Sequence, residues 1–220
     1  MDINPKEVLR YLGYNNQNID GNTQKLLNEC ILEIKEIIKK NFVYNVYDIA
    51  KVENTIIFKD TNLILESKDI SKHLLLSSQC ALMAVSLGLE VDKKILYYSK
   101  TNMTKSIILD ACASTAIEAL CDEVEDEIRK KAKRAGYNIT SRFSPGYGDL
   151  PITLQKQILE VLKAYPKIGL TVTESSILLP RKSVTAFIGW QKEKVTPKNN
   201  KCRVCLKQNC MYRKCGDQDE

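Results

Sequence analysis

The stretch 142–149 concentrates residue types that could bind a ligand, with the sequence RFSPGYGD. Its proline fixes one φ angle, and its two glycines permit turns and close backbone approach that a Cβ would prevent. Arg142 offers a planar cationic fork for a carboxylate, and Tyr147 offers a ring face and a hydroxyl. The stretch therefore suits a small molecule with a carboxylate at one end and an aromatic base at the other, although an ordinary glycine–proline turn has the same composition.

Four cysteines near the C-terminus form a second group with chemical potential. They lie within 14 residues, at Cys202, Cys205, Cys210 and Cys215. Four thiolates at this spacing can form one tetrahedral site, and both zinc and a four-iron cluster accept such ligands. The spacing does not decide between the two, and the alternative is four reduced cysteines in a disordered tail.

Other catalytic centres find little support in the composition. His73 is the only histidine, so a catalytic triad or a histidine-containing metal centre would have to form around it. The sequence has neither a phosphate-binding Gly-x-x-x-x-Gly-Lys loop nor a Gly-x-Gly-x-x-Gly turn. Because the four remaining cysteines lie singly in apolar periodic segments, we expect buried, reduced thiols. They are Cys30, Cys80, Cys112 and Cys121.

Length and charge indicate one main domain with a distinct tail. The net charge is +6, and residues 191–220 hold eight Lys or Arg against four acidic residues. The nearly neutral body argues against nucleic-acid binding. The chain shows no apolar run long enough for a membrane span and no signal peptide, so we expect a cytosolic protein. We predict a domain at 1–190, followed by a linker and cysteine-rich tail at 191–220.

Hydrophobic periodicity predicts an α+β fold with a mixed or antiparallel sheet and long helices. Apolar residues recur at three and four over 23–41, which is typical of an amphipathic helix. The segments 42–49 and 55–59 are β-rich, 80–87 reads as a buried strand, and 104–134 contains neither glycine nor proline. Two further predictions concern the C-terminal half: a strand over 137–143, and an antiparallel hairpin of 170–179 with 183–190.

One face of the predicted long helix combines small side chains with a carboxylate. Ala111, Ser114, Thr115 and Glu118 have the spacing i, i+3, i+4 and i+7 and therefore share a face. Small residues let a ligand come close to Glu118. The alternative is that Glu118 is an ordinary solvated glutamate.

Three motifs together resemble the activation domain of cobalamin-dependent methionine synthase. The pattern Arg-x-x-x-Gly-Tyr at 142–147, with Pro145 inside it, is similar to that domain's S-adenosylmethionine-binding motif. Downstream, Thr173-Glu174-Ser175, then Pro180 and Ser183-Val184, is similar to the segment that follows this motif. Upstream, the helix that carries Glu118 resembles the family's ligand-contacting helix. The three matches keep their order along the chain.

The resemblance implies a free-standing reactivation factor. S-adenosylmethionine would then methylate a cobalamin on a partner, with one electron from a reduced, flavodoxin-like donor. The partner would be a cobalamin-dependent methionine synthase or another corrinoid protein. No protein nucleophile is required, because the sulfonium is itself an activated methyl donor. The ligand-contacting residues would be Glu118, Arg142, Ser144, Pro145, Gly146 and Tyr147.

One departure and two alternatives accompany this interpretation. The family domain also uses an acidic residue near its beginning, and neither Asp20 nor Asp48 is supported as its equivalent. The first alternative is a non-catalytic scaffold protein that grips a corrinoid protein through the same cleft. The second is an ordinary small-molecule methyltransferase, which fits less well because the sequence has no glycine-rich strand-to-helix turn near the N-terminus.

Overall fold

The computed structural model describes residues 1–14 and 17–192. The helices are α1 (Pro5–Tyr11), α2 (Gly21–Ile37), α3 (Lys68–His73), α4 (Leu89–Thr101), α5 (Met103–Arg134), α6 (Gln155–Leu162) and α7 (Ala164–Ile168). The strands are β1 (Asn41–Val52), β2 (Thr55–Phe58), β3 (Ile64–Glu66), β4 (Ser77–Ser86), β5 (Asn138–Ile139), β6 (Thr171–Val172), β7 (Leu178–Leu179) and β8 (Ser183–Gln191). A short 3₁₀ turn over Ile152–Leu154 leads into α6.

A six-stranded sheet in the order β3-β2-β1-β4-β8-β5 forms the centre of the fold, and every pairing in it is antiparallel. Strands β6 and β7 form a separate two-stranded sheet. The α+β class with an antiparallel sheet and long helices, as predicted from the sequence, is confirmed.

Strand β4 divides the core into two hydrophobic clusters. Ala81, Met83 and Val85 pack with α1, α2, α4 and α5, whereas Leu82 and Ala84 pack with α3, α6 and α7. Side chains of a strand alternate between its two faces, and both faces of β4 are covered. This explains why the segment 80–87 is apolar at every position except Ser86, rather than alternating.

The long helix α5 supplies one wall of the site described below. The side chain of Asn102 caps its N-terminus by accepting a hydrogen bond from the Lys105 amide at 3.1 Å. The helix runs for 32 residues and ends at Arg134, close to Gly136, whose φ is +79°. Glycine tolerates this backbone conformation, which suits Gly136 to its place just after the helix end.

Two local predictions were wrong. The predicted hairpin of 170–179 with 183–190 does not form, because β6 pairs with β7 and β8 instead pairs with β4 along its whole length. The predicted strand over 137–143 is reduced to β5 and an isolated bridge between Phe143 and Phe187. Both errors concern which strand pairs with which, and pairing depends on residues far away in the chain.

Candidate ligand-binding site

The glycine-rich loop 142–149 folds back on itself as a compact turn. Pro145 is buried, and the Gly146 amide donates to the Leu150 carbonyl at 2.8 Å. The Leu150 amide in turn donates to the Tyr147 carbonyl at 3.1 Å. Gly146 has a φ of +90°, a conformation that L side chains rarely adopt. The turn leaves Tyr147 59% exposed, so its ring is accessible to a ligand.

Both ends of the loop are attached to the body of the protein. At one end, the Phe143 amide and carbonyl exchange hydrogen bonds with Phe187 of β8 at 3.0 and 2.8 Å. At the other end, Asp149 accepts hydrogen bonds from the Ser67 hydroxyl and from the amides of Lys68 and Asp69, at the start of α3. The loop is therefore held in place before any ligand arrives.

The contact between this loop and α3 also explains the second glycine. Gly148 has a φ of +55°, and a Cβ at this position would overlap the carboxylate of Asp69. The Asp149 amide donates to the same carboxylate at 3.2 Å. Glycine is therefore required here by backbone conformation and by close approach together.

Substitution of Asp149 by asparagine should lower the Tm at pH 7. The hydroxyl of Ser67, with the amides of Lys68 and Asp69, holds the pKa of Asp149 below its ordinary value. A carboxyl whose folded-state pKa is depressed stabilises the fold above its unfolded pKa of about 4, and this contribution is lost as pH falls through the folded-state value. The Tm difference between the two proteins should therefore shrink between pH 7 and pH 3.

Thermal unfolding followed by circular dichroism across this pH range measures the effect. Asp2→Asn, at an exposed position near the N-terminus, provides the control. A Tm difference for Asp149→Asn that stays constant over the range would contradict the assignment, because an uncharged effect of the substitution has no such pH dependence.

Arg142 is directed toward one face of α5, where it meets three carboxylates. Its Nη1 lies 2.8 Å from Asp122 Oδ1 and 3.2 Å from Glu125 Oε2, and its Nη2 lies 3.3 Å from Glu118 Oε2. Glu118, Asp122 and Glu125 share a helix face because they are four and three residues apart. The side chain of Arg142 is 21% exposed, so the cation is largely enclosed but still open on one side.

The structure thus brings Glu118 and Arg142 into direct contact. Helix α1 also packs on α5. Burial raises the pKa of Tyr11, and the negative charge of Glu118 raises it further. The Arg10 guanidinium lies 4.7 Å from the centre of the Tyr11 ring and is hydrogen-bonded to Glu7. The sequence predictions included neither Tyr11 nor Arg10 in the site.

A second cation contacts the same helix toward its N-terminus. Lys182 Nζ lies 2.9 Å from Asp110 Oδ1 and donates to the Ser114 hydroxyl at 2.9 Å. Asp110 and Ser114 border a cavity of about 520 Å³ that also includes Tyr11 and Ser106. Asp110, Ser114, Glu118 and Asp122 follow one another at four-residue spacing, so this cavity and the Arg142 contacts lie along one face of α5.

The small residues predicted beside Glu118 have different environments. Ala111 and Thr115 are buried in the helix packing, and the Thr115 hydroxyl donates to the Ala111 carbonyl. Ser114 lines the cavity just described. Of the predicted small residues, Ser114 and Ala111 reach the cavity wall, whereas Thr115 belongs to the core.

The downstream motif lies in a different part of the fold. Thr173 closes the turn between β6 and β7, with its amide donating to the Ile177 carbonyl at 2.9 Å. Thr173 and Glu174 line a separate cavity of about 530 Å³ between α6, α7 and β6. Ser183 begins β8 and donates to the Pro180 carbonyl at 2.7 Å. This motif therefore shapes a separate groove and the start of a central strand.

Asp20 and Asp48, the two candidates for the family's N-terminal acidic contact, are not directed at Arg142 and the carboxylates around it. Asp20 caps α2 by accepting hydrogen bonds from the amides of Asn22 and Thr23. Asp48 lies in β1 and accepts a hydrogen bond from Gln79 at 2.8 Å. Both carboxylates have structural partners of their own.

The single histidine and the four cysteines of the body have structural roles. His73 Nε2 lies 2.8 Å from the Ser141 carbonyl, which ties the end of α3 to the approach of the loop. Burial raises the pKa of Cys80, Cys112 and Cys121 to about 12 and that of Cys30 to about 11. These thiols stay protonated at neutral pH and pack as small apolar groups.

Within residues 1–14 and 17–192, no group of three His, Cys, Asp or Glu side chains could hold a metal ion. The predicted ligands Cys202, Cys205, Cys210 and Cys215 lie outside the described residues. Over the same described ranges, no helix is both long and apolar enough to cross a membrane.

Comparison with known proteins identifies the class to which this fold and loop belong. Residues 69–196 match the family described as "Vitamin B12 dependent methionine synthase, activation domain". The matched segment includes Glu118 and the whole loop 142–149, and it spans more than half of the 220 residues. The chain belongs to this family.

A solved structure has the same fold over most of its length. It is described as the crystal structure of the MetH reactivation domain bound to AdoHcy, and it is 15% identical in sequence with a TM-score of 0.65. The similarity covers 87% of this chain and 77% of that one. No match was found among curated proteins.

Proposed function

We propose that this protein binds S-adenosylmethionine at the Arg142–Glu118 site. The observation that carries the proposal is the direct contact between Arg142 of the loop and Glu118 of α5, two residues from separate motifs that share one site. The related reactivation domain is described as bound to AdoHcy, the product that remains when S-adenosylmethionine loses its methyl group.

The ligand's charges complement those of the site. Its amino-acid end carries a carboxylate, which suits the guanidinium of Arg142, and an ammonium, which suits a carboxylate such as Glu118. The carboxylate would replace Asp122 and Glu118 on Arg142, and Glu118 would then be available for the ammonium or a ribose hydroxyl. The exposed ring of Tyr147 offers an apolar face for the adenine.

Several amides of the loop are engaged within the protein and are therefore not open to a ligand. The amides of Gly146, Tyr147 and Asp149 already donate to groups within the protein. Ser144, Pro145 and Gly146 would instead contribute a close backbone surface, and the turn itself fixes the position of Tyr147.

The role that follows is reactivation of a corrinoid protein. The sulfonium methyl group would be transferred to cobalamin on the partner, together with one electron from a reduced donor protein of flavodoxin type, and S-adenosylhomocysteine would leave. The partner would be a cobalamin-dependent methionine synthase or a related corrinoid protein, which the family membership supports. This chain supplies binding and orientation rather than a nucleophile.

Addition of S-adenosylmethionine should raise the Tm and protect the loop 142–149 from hydrogen exchange. A ligand at a hundred times its Kd stabilises a protein by about 2.7 kcal/mol, and in a domain of this size that shifts the Tm by about 5–10 °C. Differential scanning calorimetry and exchange mass spectrometry measure both effects. If millimolar ligand produced neither, the proposal would give way to the scaffold alternative, a corrinoid-binding protein without methyl transfer.

We also propose that the chain divides near residue 191 and that the tail binds a metal. The four cysteines at 202, 205, 210 and 215 would ligate zinc or an iron–sulfur cluster, and the neighbouring Lys and Arg side chains would offset the thiolate charge. The support for this second proposal is the thiol spacing and the polar composition of residues 191–201.

A further inference from the structure

The three carboxylates that contact Arg142 differ in their access to solvent. The side chains of Asp122 and Glu118 are 71% and 50% exposed, whereas that of Glu125 is 17% exposed. Exposed ion pairs contribute little to stability, so an incoming ligand can replace them at low cost. Glu125 is the partner that is least accessible to replacement.

Glu125 is also held from its opposite side. Its Oε2 lies 3.2 Å from Arg142 Nη1, and its Oε1 lies 2.6 Å from Arg129 Nη2, one helical turn further along α5. A carboxylate that bridges two guanidinium groups is constrained at both oxygens. Glu125 therefore provides a fixed support for one edge of the Arg142 guanidinium.

We infer that Glu125 is a positioning residue for ligand binding. It holds the Arg142 guanidinium against α5, so that a ligand carboxylate can take the places of Asp122 and Glu118 without first ordering the arginine. A donor that is already ordered loses less conformational freedom on binding, which strengthens the complex. This inference rests on the proposed function, because it concerns the carboxylate of S-adenosylmethionine.

The substitution Glu125→Gln tests the inference, since it keeps the side-chain shape and removes the charge. Calorimetry should show S-adenosylmethionine binding weakened about fivefold or more, the order of loss expected when one charged hydrogen-bond partner is removed. Binding of 5′-methylthioadenosine should change by less than about twofold, because this ligand has the adenine, ribose and sulfur but lacks the carboxylate that Arg142 would hold.

Two further variants serve as controls for the Glu125→Gln measurement. Asp126→Asn removes the same charge from the next position of α5, where the carboxylate pairs with Arg129, and both ligands should then bind within about twofold of the unaltered protein. In an Arg142→Ala background, adding Glu125→Gln should cause no further loss, because the two residues act through one contact. This second comparison decides the matter if 5′-methylthioadenosine binds too weakly to measure.

The outcomes separate the inference from the proposed function. Equal losses for the two ligands in Glu125→Gln, no loss for either, or the same loss in Asp126→Asn would overturn the positioning role while leaving S-adenosylmethionine binding intact. If the unaltered, folded protein did not bind S-adenosylmethionine, the proposed function would fail and the inference with it. Thermal unfolding of each variant shows whether its fold is retained.

Discussion

Replacement of Arg142 by alanine should weaken S-adenosylmethionine binding at least tenfold. A hydrogen bond to a charged group contributes roughly 1.5–3 kcal/mol, and about 1.4 kcal/mol corresponds to a factor of ten in Kd. The substitution removes the group that would hold the ligand carboxylate. It also leaves Glu118, Asp122 and Glu125 without the cation that now lies between them, and their mutual repulsion would disturb the site further.

Two matched variants serve as controls for the Arg142→Ala measurement. Arg142→Lys keeps the charge but lacks the planar fork, so its affinity should lie between those of the unaltered protein and Arg142→Ala. Arg134→Ala removes one positive charge from the exposed end of α5, about 24 Å from Glu118 along the helix, and should leave binding nearly unchanged. Unchanged affinity in a folded Arg142→Ala protein, measured by calorimetry, would show that this arginine does not hold the ligand.

In Cys205→Ser, metal binding by the tail should be lost altogether, while the body stays folded and binds S-adenosylmethionine as before. Four thiolates complete one tetrahedral site, and a serine hydroxyl is a poor substitute for one of them. The unaltered protein, purified without oxygen, should contain about one equivalent of zinc or show the brown absorbance of an iron–sulfur cluster. Acidification should release the metal, because protons compete with it for sulfur.

Asn209→Ser is the control, since it changes the same tail without removing a thiol. Metal-free protein with all four thiols reduced would contradict the metal proposal. A loss of ligand affinity in Cys205→Ser would instead place the tail against the Arg142 site, and the division near residue 191 would then be wrong.

The helices and the central strands were predictable because their signals are local. The apolar repeat over 23–41 specifies the amphipathic helix α2, and the apolar run at 80–87, interrupted only by Ser86, specifies a strand that is covered on both faces. The absence of glycine and proline over 104–134 predicted the long helix α5. In each case the deciding residues lie within a few positions of one another.

The arrangement of carboxylates around Arg142 had a signal that the sequence interpretation did not use. Glu118, Asp122 and Glu125 have the spacing i, i+4 and i+7, which places three acidic groups on one helix face. Three neighbouring carboxylates repel one another unless a cation lies between them, and Arg142 is a residue that can supply that cation. The expected ligand contacts included Arg142 and Glu118 as separate groups, and Asp122 and Glu125 had no predicted role.

The sequence by itself determined the class of fold, the extent of the main elements and the motif order that identifies the family, because these depend on local periodicity and on residue types. Only the tertiary structure decided that β8 pairs with β4, that Asp149 fastens the loop to α3, and that Arg142 rests on α5. These contacts join residues 20 to more than 100 positions apart. Local sequence patterns do not predict these contacts, because the contacts form only when the sheet and the helices pack around a common core.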